Sequence, residues 1–103
     1  MDTGYSLSVY ENDEESVDHI DGESSKQYVR IDSLFVNTED RGHGKGRELL
    51  REAIVEAKTY KMPIYIVAGM LGFDTDISRL VPFYESEGFT AIADLGGEVL
   101  MKL

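Results

Sequence analysis

Three stretches of the chain have the hydrophobic pattern of β-strands. Residues 5–10 alternate apolar and polar positions, which is typical of a strand with one buried face. Residues 28–36 form the longest strand candidate, which ends in three consecutive apolar residues, Leu34, Phe35 and Val36. Because that ending and the run Ile64–Ala68 are apolar on both sides, both are predicted to lie in the centre of a sheet.

Two stretches have helical periodicity. Over residues 44–61 apolar residues recur every three or four positions and charged residues occupy the other side, which predicts an amphipathic helix that Pro63 ends. A second helix is predicted over residues 78–87, with Gly88 as its C-terminal stop. Pro82 suits only the first turn of a helix, so this second helix is expected to begin late.

The order of these elements predicts the fold class. The chain closes with a predicted hairpin, residues 89–94 and 98–103, and a short strand is predicted around residues 16–20. The strands before and after the first helix are expected to be parallel neighbours joined by a right-handed crossover, and the other strands can pair antiparallel. We therefore predict an α/β fold of the α+β kind, with a mixed central sheet and two main helices.

Composition narrows the class of protein. The 103 residues fit one domain, residues 1–103, and the chain is 42% hydrophobic and 29% charged, as in ordinary globular proteins. It contains no cysteine, which excludes disulfides and cysteine-based zinc sites, and no metal site is expected. No apolar run approaches the roughly 20 residues that span a bilayer, and no basic and apolar leader opens the chain. A cytoplasmic protein without membrane association is expected.

The charges are unevenly distributed. The net charge of −10 comes from 20 acidic and 10 basic residues, and six of the basic ones lie within residues 41–61. Nucleic-acid binding is disfavoured, since it requires a dominant basic face. The pattern suits a small polyanion at the basic stretch and a cationic partner elsewhere. For the total charge alone, solubility is the simpler explanation.

The basic stretch begins with a glycine-rich turn between the apolar strand and the first helix: Arg41, Gly42, His43, Gly44, Lys45 and Gly46. Alternate glycines leave several backbone N–H groups open to one ligand, and the helix adds its own unpaired N-terminal N–H groups. Such a turn binds phosphate. The common motifs do not fit, because no Ser or Thr follows the lysine as in a P-loop, and a dinucleotide fingerprint requires a glycine where Arg47 or Leu49 stands.

The pattern that fits is R-x-x-G-x-G, from Arg41 through Gly44 to Gly46. In this the chain resembles the GNAT superfamily of acetyltransferases, whose R/Q-x-x-G-x-G/A turn wraps the pyrophosphate of CoA. The segment FYESEGF, from Phe83 to Phe89, is similar to the F/L-Y-x-x-x-G-F element of that family, and residues 99–103 resemble its last strand. The resemblance covers residues 28–103, with the three segments in the family's order.

The resemblance implies an N-acetyltransferase that moves an acetyl group from acetyl-CoA to a primary amine, such as a protein lysine or another cationic amine. Attack is expected to be direct, since no cysteine is available for a covalent intermediate. A backbone N–H near Phe35 or Val36 would polarise the thioester. The resemblance places acetyl-CoA on the following residues: Leu34, Phe35, Val36, Arg41, Gly42, His43, Gly44, Lys45, Gly46 and Arg47.

Two residues are candidates for proton transfer. Tyr84 occupies the position of the family's usual general acid, but it also lies on the apolar face of its helix, where a core tyrosine is the alternative. Asp32 lies on the central strand near the expected entry of the amine, and a structural hydrogen bond is the alternative to a general base. Ile77 stands where the family often has an asparagine that contacts pantetheine.

The stretch before the central strand differs from full-length relatives, which open with a strand and two helices. Residues 1–27 instead have the pattern of strands and turns. The acceptor site is therefore expected to be reduced, open, or completed by another chain, as in a homodimer. Two other functions stay open: a binding module of the same fold that acts on a basic protein without turnover, and an acyl-CoA sensor.

Overall fold

A computed structural model describes residues 4–12, 20, 25–35, 44–69 and 77–103. The elements in this part of the chain follow the predicted order of strands and helices. They are β1 (Gly4–Glu11), β2 (Gln27–Phe35), α1 (Lys45–Lys58), β3 (Ile64–Ala68), α2 (Ile77–Glu85), β4 (Thr90–Asp94) and β5 (Val99–Lys102).

The strands of the described residues form one mixed sheet in the order β1-β2-β3-β5-β4. β2 and β3 are parallel, and the other neighbouring pairs are antiparallel, which confirms the predicted fold class and the parallel pairing of the strands before and after α1. The predicted strand at residues 16–20 lies outside the described residues except for Ile20, which is not in a strand. Val36, the predicted end of β2, also lies outside them.

Both helices pack against the same face of the sheet. Successive side chains of a strand point to opposite faces of the sheet. The buried side chains on the face that the helices cover form one core cluster with residues of α1 and α2. From α1 this core takes the predicted apolar residues Leu49, Leu50, Ala53, Ile54 and Ala57. From the sheet it takes Val29, Ile31, Leu34, Ile64, Ile66, Ala68 and Met101. Burial of these side chains fixes the helices on the sheet.

The opposite face of the sheet carries a smaller aromatic cluster. Tyr28 and Tyr65 are buried there, with ring centroids 5.3 Å apart in an edge-to-face arrangement, and the ring of Tyr10 stacks on Tyr28 at 5.6 Å. Ile20 packs against the same cluster, and its N–H donates a 2.6 Å hydrogen bond to Oδ1 of Asn12. The acidic N-terminal stretch therefore contacts this face at Ile20.

α1 is shorter than predicted at its C-terminal end. It ends at Lys58, and the chain then turns through Lys61, whose φ of 56° is left-handed. Tyr60 lies beyond the end of α1, so it does not continue the apolar stripe of the helix, and its side chain is 42% exposed. Within the described residues, neither helix is long and apolar enough to cross a membrane.

The expectation that Pro82 delays the start of α2 is wrong, because the helix extends from Ile77 to Glu85 with Pro82 inside it. Proline has no N–H to donate to the carbonyl of Ser78, four residues earlier. Ser78 and Pro82 are both exposed residues of α2. The predicted stop is confirmed, since Gly88 has a positive φ of 105° just beyond the helix.

Candidate functional site

The two parallel strands separate before they end. β2 and β3 pair at three positions, and the last pair is Ile31 opposite Ile66, although β2 continues to Phe35 and β3 to Ala68. Beyond Ile31, the described residues of β2 form no ladder pair with β3. We call the region between these two strand ends the slot, because backbone groups there could hydrogen-bond an extended ligand.

A bulge in β2 lies at the point of separation. Leu7 of β1 is opposite Ile31, and Ser6 is opposite Ser33, so Asp32 is an additional residue in β2. A bulge bends its strand and increases the local twist. The end of β2 is thereby turned relative to β3, which provides a physical cause for the slot.

Asp32 is held by hydrogen bonds on the sheet face opposite the helices. Its Oδ1 accepts a 2.7 Å bond from the Tyr10 hydroxyl and a 2.9 Å bond from Nε of Arg30. Partial burial raises the pKa of Asp32, but hydrogen bonds from Tyr10, Ser8 and Arg30 and the charge of Arg30 lower it more, so the pKa lies below its ordinary value. Such a carboxylate is a weak base at neutral pH, which favours the structural alternative for Asp32.

α1 begins at the edge of the sheet where β2 ends. Gly44 is the N-cap of α1 with a left-handed φ of 73°, and no side chain of the described residues caps the helix there. Among the described residues, no atom lies within 4 Å of a Cβ built on Gly44, and the first-turn N–H groups beside it are those that an α-helix leaves without a partner inside the helix. Gly44 lines one shallow surface recess with Tyr5, the β1 residue opposite Leu34. The N-terminus of α1 therefore lies near the end of β2, in a position to receive an anion.

The other coenzyme candidates fall into three groups. Leu34 is fully buried in the core, whereas Phe35 is partly exposed at the end of β2. Lys45 and Gly46 are in the first turn of α1, where Nζ of Lys45 lies 3.7 Å from the carboxylate of Glu48. The candidates outside the described residues are Val36, Arg41, Gly42 and His43.

The side chain of Arg47 is directed toward α2 and its C-terminal turn. Nη1 of Arg47 donates a 3.0 Å hydrogen bond to Oγ of Ser86 and lies 3.5 Å from the carboxylate of Glu87. The guanidinium also stacks over the Phe83 ring, 5.3 Å from its centroid. Arg51 pairs with the same carboxylate at 2.7 Å. Arg47 thus links the two helices through its side chain, while its backbone remains in the first turn of α1.

Tyr84 and Ile77 are both on α2, with Tyr84 in the helix-side core and Ile77 at the end of β3. The Tyr84 side chain is fully buried, its hydroxyl oxygen included, with the rings of Phe83 and Phe89 at 5.4 and 6.2 Å. Ile77 covers the residue after β3, since a Cβ built on Gly69 would lie 2.7 Å from Cδ1 of Ile77. A glycine at 69 therefore lets α2 start close to the end of β3.

The structure also assigns contacts to residues that sequence reasoning missed. Tyr10 and Arg30 surround Asp32, and Glu87 holds Arg47. The spacing of Arg30 and Asp32, two apart on one strand, was the available signal, because it places both on one face. Nothing local in the sequence pointed to Glu87. In the described part of the chain, no group of acidic or histidine side chains could hold a metal ion.

Comparison with known families identifies the family of this chain. A family model described as an acetyltransferase (GNAT) domain matches residues 1–98, which include β1 and β2, both helices and the candidate slot. Neither the comparison with curated proteins nor that with solved structures gave a match. The matched region extends to the N-terminal strand, beyond the resemblance seen over residues 28–103.

Proposed function

Because the chain belongs to the GNAT acetyltransferase family, we propose that it transfers an acetyl group from acetyl-CoA to a primary amine. The observation that carries this proposal is the early separation of β2 and β3 at the edge where α1 begins. A slot with open backbone groups fits the amide-containing pantetheine arm, and an open helix N-terminus fits a pyrophosphate.

The coenzyme is proposed to lie along the slot and across the first turn of α1. Backbone N–H groups of Lys45, Gly46 and Arg47 would bind the pyrophosphate, with Gly44 keeping the approach clear of a side chain. The preceding motif residues, Arg41, Gly42 and His43, belong to the same proposal through the resemblance. Phe35 lies on the strand end that would pair with the pantetheine arm.

Acetyl-CoA supplies the activated thioester, and the residues of the chain orient it and assist the proton transfers. The neutral amine attacks the thioester carbon, a C–N bond forms, the C–S bond breaks, and the amine proton is lost as the thiolate gains one. Tyr84 is proposed as the donor to that sulfur. Because the Tyr84 hydroxyl is buried, it would serve only a sulfur that enters the core side of the slot.

The acceptor is proposed to be cationic in its resting form, a protein lysine or a polyamine. The support is the charge of the chain, −10 overall with its basic residues concentrated around α1. An acidic surface raises the local concentration of a cationic amine. Asp32 is left as a candidate for a general base, and its hydrogen bonds favour the structural alternative.

Two measurements on the full chain test the proposal. Isothermal calorimetry with acetyl-CoA is expected to give saturable binding at one site, and no binding would reject the coenzyme assignment. Release of free thiol is then followed with a lysine-rich protein and with spermidine as acceptors. Binding of acetyl-CoA without acetylation of any amine in a broad panel would favour the binding module or sensor over the enzyme.

A further inference from the structure

We propose that the side chains of Tyr10, Arg30 and Asp32 form a clamp that holds the β2 bulge in place and thereby sets the geometry of the coenzyme slot. The proposal rests on the function proposed above and assigns these three residues a positioning role. They act from the sheet face opposite the helices, through contacts that are all within the described part of the chain.

The three side chains of the clamp are hydrogen-bonded to one another around the bulge residue, Asp32. Asp32 accepts hydrogen bonds from the Tyr10 hydroxyl and from Arg30, and Nη2 of Arg30 donates a third bond of 2.8 Å to the Tyr10 hydroxyl. The Arg30 guanidinium also stacks on the Tyr10 ring, 4.3 Å from its centroid. Each of the three side chains contacts the other two, so the orientation of Asp32 is fixed by two strands at once.

The clamp also reaches β3 through a chain of aromatic rings. Tyr10 stacks on Tyr28, which meets Tyr65 of β3 edge to face. Tyr65 is the register partner of Arg30, one position before the last pair of β2 and β3. The contacts therefore connect the bulge to the opposite wall of the slot just where the two strands separate.

A contribution to stability alone is a poor explanation for a charged and hydrogen-bonded cluster at this position. A partly buried ion pair often contributes less to the free energy of unfolding than well-packed apolar side chains of similar volume, whereas it does fix one geometry. The geometry at stake is a strand register, because a bulge that relaxes by one residue sends the following side chains to the other face. Leu34, which follows the bulge, belongs to the helix-side core and requires the bulged register.

The test is Tyr10→Phe, which keeps both ring contacts and removes the hydroxyl that bonds Asp32 and Arg30. We expect the Kd and KM for acetyl-CoA to rise about 3- to 10-fold, from loss of hydrogen bonds to charged groups, with a smaller change in kcat. Amide hydrogen exchange over residues 32–35 is expected to become faster. The control is Tyr60→Phe, which removes a hydroxyl from an exposed tyrosine beyond the end of α1, away from the slot and the α1 N-terminus; coenzyme affinity is expected to stay at the wild-type value.

The outcomes separate the clamp from the proposed function. If wild-type chain binds acetyl-CoA and Tyr10→Phe binds it equally well with unchanged exchange over residues 32–35, the clamp is overturned and the function stands. If the wild-type chain binds no acetyl-CoA, the function is rejected together with the positioning role. Should Tyr10→Phe not fold, Asp32→Asn is used in the same comparison, with the same expected rise in Kd.

Discussion

Ile31 and Ile66 are the last residues that face each other across the parallel strands β2 and β3. Both side chains are buried on the helix side of the sheet, in the core shared with α1 and α2. The slot therefore opens from a part of the sheet that is anchored by packing, and only the strand ends beyond it are free to receive a ligand. A preformed slot reduces the entropy cost of binding an extended arm.

This relationship predicts a pattern of hydrogen exchange. The N–H of Val29, which bonds the carbonyl of Pro63 at 2.8 Å, lies before the separation and is expected to be protected with and without coenzyme. Amides of residues 32–35 that are not bonded to β1 are expected to exchange quickly in the free chain. Saturating acetyl-CoA is expected to slow their exchange about 10-fold or more, since an amide that donates a hydrogen bond to the bound ligand exchanges only when that bond opens.

Exchange measured by NMR resolves these amides one by one, with Ile64–Ala68 of β3 as an internal reference. Slowing spread evenly over every strand would indicate general stabilisation by the ligand. Protection confined to residues 32–35 and the first turn of α1 is the result that a ligand in the slot requires.

A second prediction concerns the N-cap of α1. Gly44→Glu places a carboxylate in front of the first-turn N–H groups, where it competes with and repels a pyrophosphate. We expect acetyl-CoA binding to fall at least about 100-fold, by loss of the anion site. The control is Gly44→Ala, which has the same left-handed backbone strain of about 1 kcal/mol without the charge. Equal affinities of the two variants in calorimetry would contradict an anion site at this helix end.

Sequence reasoning was most successful where local pattern decides the structure. β3 was predicted at its observed bounds, Ile64–Ala68. A run of five apolar residues between a proline and a glycine is too short for a typical helix and fits a buried strand. The bulge at Asp32 was missed, since it depends on pairing with β1, more than twenty residues earlier. The motif likewise placed Arg47 at the phosphate turn, but the direction of its side chain depends on Glu87, which lies in the turn after α2 and is distant in the sequence.

The pairing of Glu87 with Arg47 and Arg51 leads to a third prediction. The Glu87 side chain is only 7% exposed, so Glu87→Gln leaves two guanidinium groups without their carboxylate at the junction of α1 and α2. We expect a loss of about 1–3 kcal/mol in the free energy of unfolding, measured by urea denaturation. Glu48→Gln is the control, because that side chain is 62% exposed and pairs with Lys45 at 3.7 Å; its cost is expected at about 0–1 kcal/mol. Equal losses in the free energy of unfolding for the two variants would show that the Glu87 ion pairs stabilise the fold no more than an exposed ion pair does.

A fourth prediction follows from the lowered pKa of Asp32. A carboxyl whose pKa is lower in the folded than in the unfolded chain stabilises the fold above the unfolded value, and this stabilisation is lost as pH falls through the folded value. Asp32→Asn is therefore expected to cost stability at pH 7 and progressively less below about pH 4, the ordinary range of aspartate. Urea denaturation at several pH values measures the difference between the two chains. A difference that stays constant from pH 7 to pH 3 would contradict the hydrogen-bonded, ionised state of Asp32.

The last prediction concerns Tyr84, whose two possible roles, packing in the core and donating a proton to the leaving thiolate, predict different effects of removing its hydroxyl. Tyr84→Phe keeps the ring that packs near Phe83 and Phe89 and removes only the buried hydroxyl. If the hydroxyl protonates the leaving thiolate, kcat is expected to fall by about 100-fold or more while the Kd for acetyl-CoA changes little. A tyrosine that serves packing alone would instead change the free energy of unfolding and leave kcat intact. Tyr60→Phe, an exposed tyrosine beyond the end of α1, is the control for the substitution itself. Thiol release at saturating acetyl-CoA measures kcat, calorimetry measures Kd, and full activity of Tyr84→Phe would remove this residue from the mechanism.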